Sequence, residues 1–130
     1  MSNFVEERIN IDVLHADAIE WSRADGSHIL AVSGKNSTNN DVVAVYSEVG
    51  TLLDIVEGSL HNDERNILLA WNPKFLILAI VWSDAKLTYW IGNDMKSCFE
   101  KGAQQHSHDV YFLEWSPDGA YILIGIQKRA

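Results

Sequence analysis

Between residues 67 and 90 the chain reads ILLAWNPKFLILAIVWSDAKLTYW, and this stretch restricts the possible folds more than any other. Apolar runs at 67–71, 75–82 and 87–90 are separated by Asn72-Pro73-Lys74 and by Ser83-Asp84-Ala85-Lys86. Each run is too short for an ordinary helix and is rich in β-branched, aromatic and leucine residues. Such runs, bounded by turn chemistry, read as buried strands. Three strands joined this tightly make an antiparallel meander.

The same unit stands on both sides. Before it, strands are predicted at 18–21, 29–33, 42–46 and 51–56. A turn at 22–26, a polar loop at 34–40 (GKNSTNN) and a turn at 48–50 join them. After Trp90 a turn is expected at 92–94 and a weak fourth strand at 96–100. A third unit follows, with strands at 110–115 and 121–126 around Ser116-Pro117-Asp118-Gly119. Pro117 presets φ there and Gly119 supplies the flexible position. Residues 1–12 form a mixed leader in which Val5, Ile9 and Ile11, with Val13 beyond, either add a strand or pack on an edge.

Trp21-Ser22, Trp71-Asn72-Pro73 and Trp115-Ser116-Pro117 occupy one place in the three units, 50 and 44 residues apart. A period in the low forties with four strands per unit is the signature of propeller blades. The fold class is therefore all-β, with WD-repeat-like β-propeller blades. The blade-like units lie at about 14–56, 57–100 and 101–130, the last incomplete. Blades bury one another face to face, and closing a ring takes roughly four to eight of them. Two blades and part of a third cannot close it. The expectation is a partial N-terminal propeller over 1–130, a piece of a longer protein. Alone it would be poorly stable or prone to aggregate through its apolar terminal faces and edges.

Composition removes some partners. The net charge is −8, with ten basic residues scattered among eighteen acidic ones. Phosphate backbones are held by clustered Lys and Arg, so nucleic acid and anionic lipid are disfavoured. The single cysteine, Cys98, leaves no partner for an intramolecular disulfide. The first ten residues lack the apolar core of a signal peptide, and no apolar run approaches the roughly 20 residues that span a bilayer. A soluble intracellular chain is expected.

No motif points to catalysis. His106-Ser107-His108 would put two imidazoles on one side of an extended segment, and His15 and His61 precede their Trp strands. The bland reading, a histidine hydrogen-bonded within its blade, is favoured over a metal site, because no Cys or carboxylate cluster completes a ligand set. Cys98 reads as a core or edge thiol rather than a nucleophile. Asp25-Gly26 and Asp118-Gly119 read as turn residues rather than a catalytic pair. No phosphate-binding glycine loop or nucleophile elbow is present. Trp21, Trp71, Trp115 and Trp90 read as packing residues. Trp82 is the candidate interface anchor, set against core packing. The loop at 34–40 is a possible contact loop, with a flexible surface excursion as the default. No catalytic, cofactor-binding or metal residue is assigned, and no cofactor is expected.

The repeat resembles divergent WD repeats in which the Asp after the third-strand aromatic is missing, as in Tyr46-Ser47 and Trp90-Ile91. A closer resemblance is carried by three groups of residues. The first is Ser37-Thr38, 41–46, Glu48 and Gly50. The second is Trp71, Pro73, 76–79, Trp82 and Leu87-Thr88. The third is His106, Asp109, Leu113, Trp115-Ser116-Pro117 and Gly119. Over roughly residues 18–126 the chain is similar to the N-terminal propeller of the intraflagellar transport protein 140 family, subunits of intraflagellar transport complex A. The resemblance implies a non-enzymatic scaffold for retrograde ciliary transport and cilium assembly. Its implied partners are other complex A subunits and ciliary cargo, without membrane insertion. Its implied location is the cilium, the ciliary base and the cytoplasm. The alternative is a generic WD-repeat adaptor of the vesicle-coat or ubiquitin-ligase type. A propeller enzyme would need polar residues repeated at the channel ends of several blades, and the sequence shows no such set.

Overall fold

The computed structural model describes residues 4, 6, 8–9, 11–13, 15–58, 66–93, 96–105 and 109–127, with the backbone alone for 93, 96–105 and 109. Among these residues there are ten strands and no helix. They are β1 (His15–Trp21), β2 (Leu30–Lys35), β3 (Asp41–Tyr46), β4 (Leu52–Glu57), β5 (Leu68–Trp71), β6 (Ile77–Val81), β7 (Lys86–Asn93), β8 (Lys96–Gln105), β9 (Asp109–Trp115) and β10 (Ile122–Gln127). They form three antiparallel meanders, β1-β2-β3-β4, β5-β6-β7-β8 and β9-β10, each strand paired with its sequence neighbour.

Alternation along the strands builds the core. In the first sheet Ala31, Val43 and Val45 point one way. They meet Trp71, Leu78, Ile80, Trp82 and Trp90 of the second sheet. In the second sheet the alternate residues Ala79 and Val81, with Leu87, point the other way and meet Val110, Leu113, Trp115, Ile122 and Ile124 of the third. The middle strands β2, β3 and β6 are thus buried on both faces, which is why their sequences run apolar without polar alternation. The three sheets stack in chain order as an open arc, with β5 lying between β1 and β9.

The described leader residues form no strand. Ile9 and Val13 pack on the outward face of the first sheet, with Leu30, Val32, Val42, Ala44 and Tyr46. The Tyr46 hydroxyl accepts from the Asp12 amide at 2.5 Å and donates to the Asp12 carboxylate at 3.0 Å. Gly34 leaves the space: a Cβ there would collide with the His15 carbonyl and Val13. Ile11 is exposed, and Val5 lies outside the described residues.

Several boundaries differ from expectation. The run at 75–82 yields a strand only from Ile77 to Val81. Asn72 Oδ1 accepts from the amides of Lys74 and Phe75, at 2.8 and 3.0 Å, and holds them in the turn. The loop expected at 34–40 is shorter. Gly34 and Lys35 belong to β2, and Asn36 Oδ1 gathers the amides of Thr38 and Asn40 into a closed hairpin turn. Asn39 takes φ 64° to close it, a conformation asparagine tolerates. Of the turn expected at 92–94, residues 92 and 93 belong to β7, which continues to Asn93, and residue 94 lies outside the described residues. The fourth strand of the second sheet reaches Gln105 rather than 100, across a register shift between Leu87 and Tyr89.

Candidate functional site

The first strand of each sheet faces the inside of the arc, and a groove of about 350 Å³ opens there. Trp71 and Trp115, at the ends of β5 and β9, form its frame. The Trp71 indole donates to the Glu20 carbonyl at 3.0 Å, and the Trp115 indole donates to the Ala70 carbonyl at 2.9 Å. Trp71 also stands edge-on to Trp90, with ring centroids 5.9 Å apart, a favoured aromatic geometry. Glu20, Arg23 and Glu114 supply the charged wall, and Pro73 and Pro117 lie on the rim.

Ser116 is the hydroxyl at the groove, and it is occupied. It donates to Asp118 Oδ1 at 2.6 Å and accepts from the Tyr121 amide at 3.0 Å. Its hydrogen bond, with a second from the Ala120 amide, holds the Asp118 carboxyl below the usual aspartate range. Ser22 does the corresponding work in the first sheet, accepting from the Ile29 amide of the returning chain, and Asn72 in the second accepts from the Lys74 and Phe75 amides of its own turn. Gly26 and Gly119 close these turns at φ 76° and 73°. Asp118 therefore serves its turn, and Asp25 lies in the matching turn of the first sheet.

Polar links also join the sheets. Asp41 is buried, accepts from the Ser83 amide at 3.0 Å and from the Ser83 hydroxyl, and pairs with Lys35. Trp90 donates to Asp54 Oδ2 at 3.0 Å, again from the second sheet to the first. Asn72 Nδ2 donates to the Gly119 carbonyl at 3.0 Å, from the second sheet to the third. Although the Asp of a regular WD repeat is missing, carboxylates at other positions tie neighbouring sheets. Sequence reasoning passed over Asp41 and Asp54. The one available signal was a carboxylate inside an otherwise apolar strand, as at Asp54, or at its first residue, as at Asp41.

The tryptophans separate by neighbour. Trp82 is 5% exposed and donates to Thr88 Oγ1 at 2.8 Å, so it is a core residue and not an interface anchor. Trp71 and Trp90 are buried as expected, and Trp115 is partly buried. Trp21 is 52% exposed. His15 is exposed on β1, and His28 pairs with Glu48 at 3.0 Å on the surface. His61, His106 and His108 lie outside the described residues, as does the side chain of Cys98. Among the described residues no group of three or more His, Cys, Asp or Glu is arranged to hold a metal ion. Nor is any helix there long and apolar enough to cross a membrane.

The three stacked meanders, tied by indole-to-carbonyl bonds, have a counterpart among known families. The family model described as the IFT140 first beta-propeller matches residues 3–129. The chain belongs to this family. The all-β, incomplete-ring architecture accords with that membership. The IFT140 family is one of intraflagellar transport, associated with the cilium and with protein partners in its complex.

Proposed function

We propose that this chain is a non-enzymatic scaffold segment of intraflagellar transport complex A, acting in retrograde ciliary transport and cilium assembly. The family match over residues 3–129 carries the reading. Its partners are the other subunits of the complex and the ciliary cargo they carry, and it works at the cilium, the ciliary base and in the cytoplasm. It contributes blade-like units at about 14–56, 57–100 and 101–130 to a larger ring. The groove supports a scaffold role, because its serine is engaged in holding a turn and its indoles in joining sheets.

Immunoprecipitation from ciliated cells with an antibody against these residues, read by mass spectrometry, tests the proposal. Recovery of complex A subunits is expected. Recovery of the chain with coat or ubiquitin-ligase components instead would overturn it in favour of a generic adaptor.

A further inference from the structure

We draw no further inference here: the strongest candidate, the groove at the inner-strand ends framed by Trp71 and Trp115, belongs to the site already described, and with charges of both signs on its wall, Glu20 and Glu114 against Arg23, nothing in the structure shows what covers it.

Discussion

Asp41 gives the sharpest test of how neighbouring sheets are held together. Its carboxylate is 2% exposed and takes both donors of buried Ser83, while Lys35, its ion-pair partner, is 20% exposed. Asp41→Ala removes all three interactions at once. Leaving the buried Ser83 donors unpaired costs about 1–3 kcal/mol, and breaking a buried ion pair costs roughly 3–5 kcal/mol. The two overlap, so a total loss of about 3–5 kcal/mol is expected. Asp41→Asn keeps an acceptor for Ser83 but turns amide hydrogens toward Lys35, and should lose about 1–3 kcal/mol. Urea unfolding followed by tryptophan fluorescence measures these changes. A double-mutant cycle with Ser83→Ala isolates the pair, with an expected coupling of about 1–3 kcal/mol. A loss below about 1 kcal/mol for Asp41→Ala, the range of exposed ion pairs, would refute the argument from burial. A coupling near zero would refute the inter-sheet link.

Three further outcomes are expected. Ser33 is fully buried and its hydroxyl has no hydrogen-bond partner among the described residues, so Ser33→Ala should leave stability unchanged or raise it by about 1 kcal/mol in urea unfolding. A Cβ on Gly58 would stand 2.7 Å from Trp82 Cε3. Gly58→Ala should therefore destabilise by about 1–3 kcal/mol and shift Trp82 emission as the core gives way. Burial raises the Tyr46 pKa above the usual tyrosine value; the hydrogen bond from the Asp12 amide opposes this and the Asp12 carboxylate adds to it. The folded state then holds the Tyr46 proton more tightly than the unfolded chain. That contribution to stability is complete below the unfolded pKa, near 10, and is lost as pH rises through the folded value. A phenolate absorbance titration should place Tyr46 above the usual tyrosine value, and Tyr46→Phe should remove that step.

Much of the architecture was legible because strand formation is local. Short apolar runs between Asn-Pro-Lys and Asp-Gly turns allow little else, and the recurrence of Trp21, Trp71 and Trp115 exposes the repeat before any contact is known. The misplaced boundaries have a physical reason. Phe75 and Leu76 are apolar enough for a strand, but Asn72 holds the start of that run in a turn. The polar residues 36–40 look like a slack loop in sequence, yet Asn36 draws them into a closed turn through its side chain. Periodicity records hydrophobicity and does not register which side-chain oxygen captures which amide.

The candidate site was less legible, because it depends on what lies beside each residue. Trp82 and Trp21 are the same amino acid on strands or turns of similar composition. One is core and the other is half exposed, and only the position of the neighbouring sheet separates them. Asp41 looks like an ordinary hairpin flank until Ser83, 42 residues later, is brought against it.

By itself the sequence determined the all-β class, the succession of short antiparallel strands and the recurrence of Trp21, Trp71 and Trp115. These follow from side-chain polarity and spacing along one chain. Only the tertiary structure decided which carbonyl each indole reaches, which carboxylates tie the sheets and where the leader lies. Those are pairings across 34 to 51 residues, and stacking the sheets creates them.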